Sequence, residues 1–172
     1  MSGDAAGLSL SSTTELLSAY AGILNELKSR GVVRTRNAPA GDYAEWLCQK
    51  ALGGSLEPNS AKSHDLTLAD GTRIQVKCRV VADPTKQRQQ LSAIRSWDFE
   101  LLAVVLLDPV DYSVLSGALL PVDVVRPTAR WIERMKGDRV DLTPELLSHD
   151  SVRVITAALR SAAVAPGTSV AE

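Results

Sequence analysis

The chain has 172 residues, 45% of them hydrophobic and 23% charged, which is ordinary for one soluble globular domain with a real core. Its formal net charge of −1 excludes a protein that coats nucleic acid through overall positive charge, so any such contact must come from local clustering. Two cysteines without a CxxC pair, together with two histidines, argue against a zinc site of the usual kind.

The sequence predicts neither secretion nor a membrane span. The N-terminus lacks the basic start and the long apolar core of a signal peptide. The longest apolar run, Leu101 to Leu107, is too short to cross a bilayer. A cytoplasmic protein with reduced cysteines and no membrane partner is therefore expected.

The spacing of apolar residues predicts an α/β protein with two helices ahead of its strands. A Ser12–Glu15 capping box predicts the start of the first helix, and Gly53-Gly54 the end of the second. The residues after Pro84 are polar and basic, with room for one short helix. The predicted elements, in chain order, are a flexible lead-in over 1–12, helices over 13–30 and 41–52, strands over 55–57, 64–69, 72–80, 99–107 and 112–120, short helices over 128–136, 144–149 and 151–163, and a disordered tail over 164–172. Residues 13–163 are predicted to form a single domain.

The loop between strands 64–69 and 72–80 decides which side chains share a face. A two-residue turn would pair Leu66 with Gln75 and mix polar with apolar residues on both faces. A three-residue loop instead places Leu66 opposite Ile74, with a glycine third in the loop, where a left-handed residue is favoured. It also places Asp65 opposite Gln75. Because a one-residue slip turns every side chain to the other face, we predict the three-residue loop.

That register gathers Asp65, Gln75 and Lys77 on one polar face. Directly opposite residues have Cβ atoms about 4.5–5.5 Å apart, so Asp65 and Gln75 are close enough to share a divalent cation. Mg²⁺ takes oxygen ligands and keeps several waters, so a carboxylate with an amide or backbone carbonyl would suffice. Lys77 would orient the attacking water or stabilise a phosphate. An ordinary solvent-exposed hairpin face carries the same residue types, and this alternative stays open.

Residues 41–81 contain an ordered set of features. A helix with Glu45 comes first, then a strand with Asp65, a turn, and a strand with Gln75-Val76-Lys77. This order resembles the PD-(D/E)xK, or restriction-endonuclease-like, nuclease superfamily. The layout is most similar to archaeal Holliday-junction resolvases and small restriction enzymes, and to uncharacterised bacterial and phage-associated domains with AEWL and QVK segments. The sequence departs from the family pattern at Gln75, where an acid is usual.

The resemblance implies a restriction-endonuclease-like core, in which helices flank a central mixed sheet, with one further helix before it and others after it. It implies a Mg²⁺-dependent DNA endonuclease, with Mn²⁺ as a substitute, in restriction, phage defence or DNA repair. The implied metal ligands are Asp65, Gln75, the Val76 backbone carbonyl and Glu45, while Lys77 assists the water. Glu45 is explained equally well as a residue that only stabilises its helix dipole. The alternative is a catalytically inactive nuclease-fold module that binds DNA or protein, or a structural subunit of a larger complex.

Basic residues near the motif in sequence provide a predicted phosphate-contacting rim, since backbone contacts dominate DNA affinity. These residues are Arg34, Arg36, Lys62, Arg79, Lys86 and Arg88. A solvated basic surface explains them equally well. DNA is the expected partner, and both a homodimer and a subunit of a larger defence complex are compatible with the sequence.

Overall fold

The computed structural model describes residues 8, 10–35, 37–58, 63–82 and 89–164. The chain divides into two compact units after Pro39, the second running from Ala40 to Pro166. Each unit is described by itself, and the single domain over 13–163 stays a prediction. None of the helices in the described part of the chain combines the length and apolar character that a membrane span requires.

The first unit contains helix α1, Thr13–Ser29. The predicted capping box is present, because the Ser12 hydroxyl accepts from the Glu15 N–H and the Glu15 carboxylate accepts from the Ser12 N–H at 2.7 Å. These bonds satisfy backbone donors that an uncapped helix start leaves unpaired. Leu24 is buried, as is Val33 in the connector that follows the helix.

The second unit is built from strands and mostly short helices. Its elements, in chain order, are α2 Ala40–Leu52, β1 Ser55–Leu56, β2 Leu66–Thr67, β3 Arg73–Val80, β4 Gln89–Gln90, β5 Leu101–Leu107, β6 Val114–Pro121, α3 Val122–Val125, a 3-10 turn Arg126–Thr128, β7 Arg130–Ile132, a 3-10 turn Glu133–Met135, β8 Gly137–Arg139, β9 Asp141–Leu142, α4 Pro144–Leu147, β10 Arg153–Val154 and α5 Thr156–Val164.

A mixed six-stranded sheet forms the centre of this unit, in the order β1-β2-β3-β5-β6-β10. Strand β3 runs parallel to β5, and the other neighbouring pairs are antiparallel. The predicted α/β class, with helices flanking a central mixed sheet, is confirmed. The apolar run predicted as a central strand is β5, which is buried from Leu102 to Leu107, as expected where both faces are covered.

The two faces of the sheet are covered differently. Helices α2 and α5 contact each other, and they pack on β3 and β6 respectively. The Cys78 thiol of β3 donates to the Ala40 carbonyl at the start of α2, at 3.3 Å, so Cys78 faces this helix layer. On the other face Leu102 and Val104 join a buried apolar cluster with residues of the later loops and strands, among them Leu91 and Ile94.

One predicted helix is wrong, and another begins later than predicted. Residues 128–136 form β7 and a 3-10 turn, because β7 pairs with β8 and that pairing overrides the weak helical pattern. The helix predicted over 151–163 begins only at Thr156, because Arg153 and Val154 extend the central sheet by pairing with β6. A short helix was predicted after Pro84, within 82–96. Residues 83–88 lie outside the described residues, and from Gln89 the chain forms β4 and an irregular segment rather than a helix.

Candidate active site beside the start of strand β2

The hairpin between β2 and β3 has the predicted three-residue loop. The Leu68 N–H donates to the Thr72 carbonyl at 2.9 Å, and Gly71 has a φ of 86°, in the left-handed region that favours glycine. Leu66 lies opposite Ile74 and both are fully buried. The register on which the site depends is therefore confirmed.

The backbone of Asp65 is held from both sides just before β2 begins. Its N–H donates to the Ile74 carbonyl at 2.9 Å, and its own carbonyl accepts from the Glu57 N–H at 2.9 Å. Because β3 continues to Val80 while β2 starts at Leu66, the edge of β3 beyond this point faces the Asp65 side chain. The carboxylate is thus presented to a strand edge by a fixed backbone.

The Asp65 carboxylate binds that edge directly. Its Oδ2 atom accepts from the Val76 backbone N–H at 2.7 Å and from the Gln75 side-chain amide. One carboxylate oxygen therefore accepts the ladder hydrogen bond that the backbone carbonyl of a further β2 residue would have accepted. Asp65, Gln75 and Val76, three of the predicted metal-site residues, are in mutual contact.

The Gln75 carboxamide presents its nitrogen to this cluster. Its Nε2 atom donates to Asp65 and lies 3.5 Å from the Val76 carbonyl oxygen, and both are acceptors. The carboxamide must turn about its last torsion to offer its oxygen to a cation instead. In this arrangement the Asp65 carboxylate already accepts hydrogen bonds from both the Gln75 amide and the Val76 N–H.

Lys77 lies at the margin of the buried apolar cluster rather than on an open face. It is half-buried and aligned with Val104 across the parallel pair of β3 and β5. Burial lowers the pKa of Lys77, while the charge of Asp65 raises it, that of Arg95 lowers it and that of Glu45 raises it. The charges of Asp65, Arg95 and Glu45 therefore all affect the protonation of the Lys77 ammonium.

Glu45 is half-buried on α2. Burial raises the pKa of the Cys48 thiol to about 12, and the charges of Glu45 and Asp65 both add to that effect. The carboxylates of Glu45 and Asp65 therefore act on common neighbours, Cys48 and Lys77. A role for Glu45 at the site stays a prediction.

The predicted DNA-contacting residues are described only in part. Arg79 is exposed on β3, where alternation along the strand places it on the face of Lys77. Arg34 is half-buried and belongs to the first unit. The remaining predicted contacts lie outside the described residues: Arg36, Lys62, Lys86 and Arg88.

Two features near the site escaped prediction from sequence. Arg95 is exposed in the segment before β5, and no motif connects it with the residues of β3. A hydrogen-bonded chain joins Ser63 to His64 Nδ1 at 2.9 Å and His64 Nε2 to Thr67 at 3.1 Å, and the Thr67 hydroxyl donates to Glu57 at 2.7 Å. Only the sheet pairing of β1 with β2 brings Glu57 and Thr67 together, so their spacing in sequence gave no signal.

The chemistry available at this site is that of one strand carboxylate, an amide, a backbone carbonyl and a nearby ammonium. Among the described residues, no group of three or more histidine, cysteine or acidic side chains is arranged to hold a metal. Oxygen donors of the kinds present are those that Mg²⁺ takes alongside its own waters. No protein-family model matches the chain, and no curated protein matches it in sequence.

Proposed function

We propose that this chain is a Mg²⁺-dependent DNA endonuclease with a PD-(D/E)xK, restriction-endonuclease-like core. The observation that carries the proposal is the meeting of the Asp65 carboxylate, the Gln75 amide and the Val76 backbone beside the start of β2, with Lys77 next along β3. Restriction, phage defence and DNA repair are the settings that fit such an activity. Cytoplasmic location and DNA as the partner belong to the same proposal.

The donor set fits a hydrated Mg²⁺ or Mn²⁺ ion. Asp65, the Val76 carbonyl and, once turned, the Gln75 amide oxygen would hold it, with Glu45 as an outer ligand. When bound, the ion supplies a water of lowered pKa and offsets the charge of the phosphate. Lys77 would hydrogen-bond the attacking water or the scissile phosphate. Its lowered pKa, caused mainly by burial, makes it release a proton more readily than an exposed lysine does.

The second candidate function is an inactive nuclease-fold module that binds DNA or protein. It is favoured by the Gln75 amide, whose N–H donates to Asp65 and so compensates the carboxylate without a cation. A single strand carboxylate also attracts a hard cation less than a pair does.

Cleavage assays with single-residue variants test the nuclease. Purified protein is incubated with duplex, branched and single-stranded DNA in Mg²⁺ or Mn²⁺. We expect Lys77→Ala and Asp65→Asn each to lose roughly 100-fold or more in rate. The Asn side chain still accepts from the Val76 N–H through its oxygen, so the chain still folds, although with the lower stability that a neutral acceptor gives. Arg153→Gln, an exposed change on strand β10, is the matched control and should cut normally.

The outcomes separate the two candidates. Cleavage at the wild-type rate by both Asp65→Asn and Lys77→Ala would rule out a nuclease at this site. If the wild type never cuts but Gln75→Glu does, the chain is a decayed nuclease and the binding-module function is correct.

A further inference from the structure

The hairpin of β7 and β8 exposes a tryptophan within a basic stretch. Residues 126–139 carry five arginine or lysine side chains against two acidic ones, a local balance of +3 in a chain whose net charge is −1. Trp131 is 55% exposed. Its indole N–H donates to the Glu133 carboxylate at 2.8 Å, which fixes the ring by its edge. Burial in a core does not account for this aromatic side chain.

The cations close to Trp131 in sequence have no acidic partners among the described residues. Arg130, Arg134 and Lys136 are all exposed, and none forms an ion pair within the described part of the chain. Arg73, by contrast, is paired with Asp98 and Glu100. Uncompensated cations on the same short hairpin as an exposed aromatic ring match the chemistry of a single nucleic-acid strand, in which phosphates alternate with bases that can stack.

The hairpin is attached to the segment that reaches the candidate active site. Ile94 and Asp138 exchange two backbone hydrogen bonds of 2.8 Å. Gly137 packs so tightly here that a Cβ atom would lie 2.9 Å from the Ile94 carbonyl oxygen and 3.2 Å from Arg95 Cγ. Arg95 in turn lies within electrostatic reach of Lys77. The hairpin is therefore fixed to the segment that carries Arg95.

Charge complementarity favours a polyanion over a second copy of this chain as the occupant. A symmetric contact through Trp131 would bring two sets of uncompensated cations together, and like charges repel in an interface. A polyanion removes that repulsion and releases counterions.

We propose that the β7–β8 hairpin binds a single-stranded segment of DNA, with Trp131 stacked on an unpaired base and Arg130, Arg134 and Lys136 on the flanking phosphates. A side chain stacks on a base only where the base has left its own stack, which is why the bound segment is single-stranded. The proposal rests on the proposed function, because it supplies a substrate contact for the same site.

The test measures binding of the full chain to fluorescent oligothymidine and to a duplex of equal length, by anisotropy in chelator so that nothing is cut. Trp131→Ala should weaken oligothymidine binding roughly 5- to 150-fold, while Trp131→Phe keeps most of the affinity. Changing Arg130, Arg134 and Lys136 together to Gln should reduce the slope of log affinity against log salt by about 2. Arg153→Gln, exposed on strand β10, should change neither quantity.

Three results would overturn the proposal. One is equal oligothymidine affinity for wild type and Trp131→Ala, with circular dichroism confirming that both are folded. Another is tighter binding of duplex than of oligothymidine by the wild type. The third is a wild-type dimer in light scattering that Trp131→Ala makes monomeric, since the hairpin would then bind another copy.

The two proposals fail separately. If the wild type does not cut DNA but the Trp131 effect is present, only the nuclease activity is lost. If the wild type cuts DNA and Trp131→Ala binds and cuts equally well, only the hairpin surface is wrong.

Discussion

At the scale of single residues, Asp65 is both a candidate metal ligand and a structural acceptor. Its carboxylate oxygen accepts from the Val76 N–H, on the edge of β3 beyond β2, and from the Gln75 amide. Hydrogen bonds to an ionised acceptor contribute about 1.5–3 kcal/mol each, so the cluster matters for folding whether or not a cation binds. Substitutions here must therefore be judged by stability as well as by activity.

Gln75→Glu should make the stability of the fold depend on pH. Glutamate at position 75 lacks the N–H that Gln75 donates to Asp65. The two neighbouring carboxyl groups then repel each other, which raises the pKa of one of them in the folded state. A folded-state pKa above the unfolded value means that the stabilising proton is present at low pH and lost as pH rises through the folded value. We expect a loss of about 1.5–3 kcal/mol at pH 8 in chelator and much less at pH 4.5, measured by urea unfolding.

Added Mg²⁺ should restore much of the stability that Gln75→Glu loses at pH 8, because a cation compensates the second acid. The wild type under the same conditions is the control. An equal loss at both pH values, with no response to Mg²⁺, would place residue 75 outside any cation site.

The pKa of Lys77 should respond in opposite directions to two neutralising substitutions. It lies below its usual value through burial, with Asp65 raising it and Arg95 lowering it. Asp65→Asn should therefore lower the pKa of Lys77 further, whereas Arg95→Gln should raise it. NMR titration of the ¹³C-labelled lysine ε-carbon measures both shifts, with Lys50 on α2 as the internal control. Two shifts of the same sign would contradict the arrangement.

At the scale of elements, two adjacent glycines after α2 differ in how closely the chain approaches them. Both have positive φ, 78° at Gly53 and 90° at Gly54. A Cβ on Gly53 would meet nothing within 4 Å, whereas one on Gly54 would lie 2.3 Å from the Thr67 carbonyl oxygen in β2. The second glycine thus permits the close approach that brings β1 against β2.

Gly54→Ala should therefore destabilise the protein more than Gly53→Ala. Gly53→Ala should cost about 1–2 kcal/mol, the penalty of a left-handed alanine. Gly54→Ala carries the same penalty and a backbone clash, so we expect at least about 3 kcal/mol in total. Urea unfolding followed by circular dichroism measures both. Equal losses would show that β2 moves away at little cost.

Predictability from sequence differs between elements for physical reasons. The hairpin register followed from Leu66, Ile74 and a loop glycine, because alternation and turn geometry are local and agree with each other. Strand β7 was missed because its pairing depends on Gly137 and Ile94, which come together only in the folded unit. Long-range packing of this kind leaves no periodic signal along the chain.

The candidate site could likewise be predicted only where local geometry determines it. Asp65 and Gln75 meet because they belong to one hairpin, and Lys77 follows by strand alternation. Arg95 could not be predicted, because the segment before β5 reaches Lys77 through the tertiary fold alone. The partial burial of Lys77 beside the buried apolar cluster was not predicted either. In sequence, β3 has the pattern of a hairpin strand with one solvent-exposed face, and only its parallel pairing with β5 shows that this face is covered.

At the scale of the whole molecule, both thiols lie in the layer between the sheet and α2 and both are free, with Cys48 buried and Cys78 half-buried. Burial raises the pKa of Cys48 to about 12 and that of Cys78 to about 11. In the native protein at pH 8, each should react with a disulfide reagent roughly 100-fold or more slowly than an unfolded cysteine does, because little thiolate is present.

Spectrophotometric titration of thiols checks this expectation. Two thiols per chain should react at once in denaturant, and the slow native reaction should accelerate with urea in step with unfolding. Fast labelling of the folded protein, or fewer than two thiols after mild purification, would contradict the buried, reduced state.

The bond from the Asp65 carboxylate to the Val76 N–H has a consequence for evolution. Selection for a folded chain alone is enough to preserve Asp65, because losing it uncovers a strand edge. A descendant that had drifted away from catalysis would keep this aspartate for generations, and its presence among homologues would say little about activity. The Lys77 side chain, unlike that of Asp65, does not complete the backbone ladder. Replacement of Lys77 would therefore identify an inactive lineage.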